Sequence, residues 1–114
     1  NNSTKSFVLR AHEYVHDNYA DAALSLDSVC EELGVSNSYF STIFKKETGS
    51  SFISYLTDYR MDQAARWLLE TNEKSYIIAK KVGYTDANYF SYVFKRRFGV
   101  SPSKYRTEHG ESER

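Results

Sequence analysis

One passage occurs twice in this chain, about fifty residues apart, and that repeat constrains the fold more than any other feature. Residues 29–55 read VCEELGVSNSYFSTIFKKETGSSFISY, and residues 78–105 read IAKKVGYTDANYFSYVFKRRFGVSPSKY. Tyr39-Phe40 matches Tyr89-Phe90, Phe44-Lys45 matches Phe94-Lys95, Gly49 matches Gly99, and Tyr55 matches Tyr105. Ahead of the Tyr-Phe pair the copies slip by one residue, because Gly34 matches Gly83. A repeated segment of this kind is one supersecondary unit used twice.

The spacing inside each copy names the unit. A small residue stands four before a glycine: Cys30 before Gly34, and Ala79 before Gly83. The small residue lets a second helix cross closely, and the glycine ends the first helix in the left-handed region. Polar residues then supply an N-cap, Ser36-Asn37-Ser38 in one copy and Thr85-Asp86-Ala87-Asn88 in the other. A second amphipathic helix follows. Its apolar side is Phe40, Ile43 and Phe44 in one copy, and Phe90, Val93, Phe94 and Phe98 in the other. Helix, glycine turn, and helix with a polar outer face make a helix-turn-helix.

The rest of the chain reads as helix too. With one proline and five glycines in 114 residues, long helices are favoured over a strand-and-turn architecture. The expected fold is all-α, with about seven helices and two helix-turn-helix lobes on a shared long helix. The first lobe spans residues 6–50, the linker helix 51–70, the second lobe 71–106, and a frayed polar tail 107–114. A first helix is expected over 6–19, with Phe7, Ala11, Tyr14 and Val15 on its apolar side. Ser25, Ser36, Ser51 and Ser75 are expected N-caps, and Ser101-Pro102 is a strong start for a last short helix. Residues 52–70, as a helix, span roughly 28 Å, slightly less than the ~34 Å between successive major-groove faces on one side of B-DNA.

A net charge of zero hides a strong asymmetry. Residues 1–73 carry six Lys/Arg against eleven Asp/Glu, a balance of −5. Residues 74–106 carry eight Lys/Arg and only Asp86, a balance of +7; residues 107–114 contribute −2. The second half therefore expects a polyanionic partner. A merely solvated basic helix is the bland alternative, since Lys95, Arg96 and Arg97 also suit a helix C-terminus. The single cysteine, Cys30, excludes an internal disulfide and fits a small buried packing residue in a cytoplasmic setting. The chain starts at Asn1 and not Met, as expected of a piece of something longer.

These motifs, in this order, resemble the DNA-binding domain of the AraC/XylS family of bacterial transcription regulators. The resemblance covers about residues 6–106. It is most specific in Ile78-Ala79, Val82-Gly83-Tyr84, Tyr89-Phe90-Ser91, Phe94-Lys95, Phe98-Gly99, Ser101-Pro102 and Tyr105-Arg106. Arg60, Ala64, Leu68 and Leu69 look like the family's linker helix. The resemblance implies sequence-specific binding of double-stranded DNA, with both reading helices in neighbouring major-groove segments. It implies Ser38, Ser41 and Thr42 as base-facing in the first lobe, and Asn88, Tyr89 and Tyr92 in the second. The helical faces agree, because positions 38, 41, 42 and 45 lie opposite the apolar side. Lys45, Lys46, Lys95 and Arg96 are then placed for phosphates. The family often has Arg where this chain has Thr42 and Tyr92. Asn88, which can read adenine bidentately, is therefore the expected main direct reader. The resemblance also implies RNA polymerase as a further partner, and an N-terminal sensor or receiver domain in the full-length protein. No cofactor and no metal is expected.

Two other readings compete. His12-Glu13-Tyr14-Val15-His16 matches the H-E-x-x-H pattern of zinc proteases. That chemistry needs a third ligand and a cleft, and the one remaining histidine, His109, lies near the far end of the chain. Exposed histidines on a solvated face are the better expectation. The stronger competitor is a helical protein-interaction module, since the first half is acidic. Salt-dependent DNA binding separates the two.

Overall fold

The computed structural model describes residues 2–110, with side chains from Thr4 onward. Seven helices and no strand occur among the described residues: α1 Asn2–Asn18, α2 Leu26–Leu33, α3 Asn37–Thr48, α4 Phe52–Glu70, α5 Ser75–Lys81, α6 Ala87–Phe98 and α7 Pro102–Gly110.

Local chemistry sets most of the boundaries. The Ser25 hydroxyl accepts from the Ser28 amide, and Ser28 Oγ accepts from the Ser25 amide, closing a reciprocal capping box on α2. Ser36 accepts from Tyr39, Ser51 from Ser54, and Ser101 from Lys104. Asp86 accepts from both Asn88 and Tyr89, a charge-assisted cap at the start of the second reading helix. α5 departs from expectation. Its cap residue is Lys74, without a side-chain cap bond, and Ser75 is already helical. The 74–77 and 74–78 backbone bonds begin the helix one residue early. α1 also extends beyond the expected residues 6–19, starting at Asn2 and ending at Asn18.

The two glycine turns close in the same way despite their different lengths. Gly34 has φ 74° and Gly83 φ 101°. In the first turn the Val35 amide donates to the Cys30 carbonyl; in the second the Tyr84 amide donates to the Ala79 carbonyl. These are the long bonds of a Schellman ending, received by the small residue four before each glycine. Cys30 and Ala79 are both buried, as close helix crossing requires.

α4 joins the lobes by belonging to both cores. Its N-terminal half gives Phe52 and Leu56 to a core with Ala11, Val15, Val29, Phe40 and Phe44. Its C-terminal half gives Met61, Ala64, Ala65 and Leu68 to a core with Ile78, Ala79, Val82, Phe90 and Phe94. Phe7, Tyr14, Ile43, Val93 and Phe98 are only half-buried, flanking these cores. The repeat extends to ring geometry. Tyr55 meets Phe44 edge-on at 5.7 Å, and Tyr105 meets Phe94 edge-on at 5.4 Å.

The expected frayed tail from Thr107 is helical as far as Gly110. Spacing of four explains it. Tyr105 and His109 rings pack at 4.2 Å, Lys104 and Glu108 form an ion pair, and Thr107 Oγ1 donates to the Ser103 carbonyl. Residues 111–114 lie outside the described residues.

Candidate nucleic-acid interface

α3 and α6 bury one side and leave the other open, as their sequences demand. Phe40 and Phe44 of α3, and Phe90 and Phe94 of α6, face the cores. All six expected base-facing residues are exposed: Ser38, Ser41, Thr42, Asn88, Tyr89 and Tyr92. Lys45, Lys46, Lys95 and Arg96, the expected phosphate ligands, are exposed as well. Ser41, Thr42, Lys45 and Lys46 line one shallow concavity along α3.

The two surfaces differ in chemistry. α3 presents hydroxyls and two lysines, with Tyr39 held edge-on against Phe7 at 6.1 Å. α6 presents an aromatic shelf. Tyr89 and Tyr92 are 55% and 56% exposed, and their rings stack at 6.2 Å. The Arg96 guanidinium lies 5.8 Å from the Tyr92 ring centre and donates to its hydroxyl at 3.1 Å. That bond holds the fully exposed Arg96 pKa above its ordinary value. Arg96 thus has a preferred orientation against the Tyr92 ring.

α4 contributes to the same surface, which the sequence reading missed. Ser54, Thr57 and Asp58 line a cleft with Tyr89, Tyr92, Val93, Arg96 and Arg97. Ser54 and Thr57 stand on α4, outside the two reading helices, and the residue that repeats Ser54 is Lys104 on α7. Arg97 is spent differently: it pairs with Asp58 and Asp62 of α4. Arg106 donates to the Leu68 and Thr71 carbonyls at 2.8 and 3.0 Å. Those two cations of residues 74–106 brace the fold.

His12 corrects the expectation of exposed histidines. Its ring is half-buried, stacked on Tyr55 at 4.6 Å and edge-on to Phe44 at 5.8 Å. Its Nε2 is buried without a hydrogen-bond partner, and burial pushes its pKa below the ordinary value. The reason is helical register: position 12 flanks the buried stripe of Ala11 and Val15. His16 is exposed and pairs with its neighbour Asp17 at 3.2 Å. Among the described residues, no group of three or more His, Cys, Asp or Glu could hold a metal ion.

The comparisons with known proteins agree with this geometry. The family model of a helix-turn-helix domain matches residues 29–108. The Msm operon regulatory protein of Streptococcus mutans is 37% identical over 109 residues, covering 95% of this chain and 38% of that protein. The multiple antibiotic resistance protein MarA of Salmonella typhimurium is 36% identical over 102 residues, covering 88% of this chain and 80% of that protein. The C-terminal domain of AraT, a response regulator from Geobacillus stearothermophilus, superposes with a TM-score of 0.89 at 44% identity. That match covers 90% of this chain and 85% of that one. The chain thus spans well under half of the Msm regulator and most of MarA. It belongs to the AraC-type helix-turn-helix family, as a sequence-specific DNA-binding domain of a transcription regulator.

Proposed function

We propose that both lobes read one duplex, with α3 and α6 in neighbouring major-groove segments and α6 the dominant reader. The observation that carries this is the pair of exposed reading faces on helices locked to opposite halves of α4. Asn88 reads a base edge directly, and the Tyr89–Tyr92 shelf supplies apolar surface and hydroxyls. Ser38, Ser41 and Thr42 give the first lobe weaker, single-bond contacts. Lys45, Lys46, Lys95 and Arg96 bind phosphates and set the register.

The domain acts by binding and not by catalysis. Its setting is the bacterial cytoplasm, where the duplex lies; no described helix is long and apolar enough to cross a membrane. Its coverage of the Msm regulator and its likeness to a response regulator's C-terminal domain support a fused N-terminal sensor or receiver domain. RNA polymerase is the natural further partner of a protein bound beside a promoter.

The test is binding to duplex DNA across a salt series. Phosphate-led binding makes log affinity fall linearly and steeply with log salt. A flat response, or no binding at low salt, favours the protein-interaction module instead.

A further inference from the structure

Among the described residues, Arg60 is the one polar or charged side chain that is buried, at 8% exposure. It stands where α4 changes cores, between Leu56 of the first and Met61 of the second. Its Nε donates to the Tyr19 carbonyl at 2.9 Å, and its terminal nitrogen donates to the Asp21 carbonyl at 2.9 Å. Both carbonyls belong to the connection between α1 and α2, in the first lobe. The other side of the guanidinium faces the second lobe, 5.6 Å from the Tyr84 ring centre.

Gly83 completes the joint. A Cβ there would lie 2.6 Å from the Tyr19 carbonyl oxygen and 2.8 Å from the Arg60 guanidinium. The turn that launches α6 is therefore pressed against both the first lobe and Arg60. From Tyr84 the packing runs outward: Tyr84 to Tyr89 at 6.1 Å, then Tyr89 to Tyr92 at 6.2 Å. One guanidinium thus touches the first lobe and the base of the second lobe's reading shelf.

We propose that Arg60 is a positioning residue that fixes the two reading lobes at a single spacing on DNA. This rests on the reading that both lobes bind one duplex. A guanidinium is a rigid planar fork, so two bonds to one connection hold it in orientation as well as place. Two binding modules held at a fixed separation gain from each other only when that separation matches the sites; a loosened joint forfeits the gain. Arg60 is buried and is not one of the ten exposed interface residues, so removing the fork takes no contacting side chain from either lobe.

The test uses the duplex most enriched by this domain from a random pool. It adds versions with one or two base pairs inserted or deleted between the two enriched blocks, and duplexes carrying either block alone. Arg60→Met is expected to bind the single-block duplexes as the unaltered domain does. On the intact duplex it should lose about tenfold or more, and its affinity should vary less with spacing. Arg60→Lys keeps the charge without the fork and should fall between the two. It also serves as the measured variant if Arg60→Met does not fold. Unaltered spacing discrimination in the folded variant, whatever its thermal stability, overturns the proposal. So does an equal loss on single-block and intact duplexes. If the unaltered domain itself binds without regard to spacing, the two-lobe reading fails and the role of Arg60 falls with it.

Discussion

Arg97 reaches back from the second reading helix and sets its guanidinium between two carboxylates of α4, 3.1 Å from Asp58 and 2.9 Å from Asp62. Position 97 repeats position 47, where Glu47 accepts from Thr4 of α1 at 2.8 Å. Each lobe thus ties its reading helix to the helix two elements earlier, α3 to α1 and α6 to α4, from the same repeat position, with opposite charge. The tie makes neighbouring cations on α6 separable in function: both are exposed, but Arg97 is paired with two carboxylates of α4.

Arg97→Ala is therefore expected to lower stability by about 0.5–1 kcal/mol, the modest worth of a partly exposed charge network. Lys95→Ala should leave stability unchanged, weaken binding to all duplexes alike, and reduce the salt slope by about one. Thermal melts and salt-dependent titrations of both variants check this. A Lys95 variant that melts early with an unchanged salt slope reverses the assignment.

Asn88→Ala should cost ~1–3 kcal/mol at one operator position and relax preference there. Ser41→Ala should cost less, since a lone hydroxyl supplies one modest bond. The measurement is binding of each variant to a panel of single-base operator changes. A uniform weakening by Asn88→Ala places it on the backbone and not on a base.

His12 makes the fold sensitive to acid. Its pKa in the fold lies below the ordinary 6.5, because burial disfavours the charged ring. The unfolded chain binds that proton more readily. This share of stability is therefore present above about pH 6.5 and is lost as pH falls below it. His12→Phe keeps the ring against Tyr55 and removes the proton site. Denaturant unfolding between about pH 7 and 5 should show a flatter decline in the variant. Identical slopes for the two proteins rule His12 out as a source of the dependence.

The two glycine turns should respond differently to the same change. A Cβ at Gly34 meets nothing within 4 Å, so Gly34→Ala costs only the left-handed backbone, about 1–2 kcal/mol. At Gly83 the same strain is joined by overlap with Tyr19 and Arg60. Gly83→Ala should therefore lower the unfolding midpoint much further. Equal midpoints contradict the tight joint.

The fold was legible wherever local chemistry decides it. The glycine turns, the caps at Ser25, Ser36, Ser51, Asp86 and Ser101, and the Phe40/Phe44 and Phe90/Phe94 faces follow from spacing, whereas the expected Ser75 cap gave way to Lys74. The reading faces are legible as the complement of those apolar stripes, which is why all ten expected interface residues are exposed. What was not legible depends on distant partners. The diversion of Arg97 and Arg106 into the fold needs α4 and its end in place. His12 needs Tyr55, which lies on another helix. Arg60 left one trace, a lone charge in the apolar stripe of Leu56, Met61 and Ala64, but its carbonyl partners lie 39 and 41 residues away.

Selection of bound sequences from a random duplex pool tests the central claim most directly. The two-lobe reading predicts two enriched blocks about one helical turn apart, ~10–10.5 base pairs centre to centre, with preference relaxed at one position of the more informative block on Asn88→Ala. A single enriched block, or no enrichment over the starting pool, contradicts it.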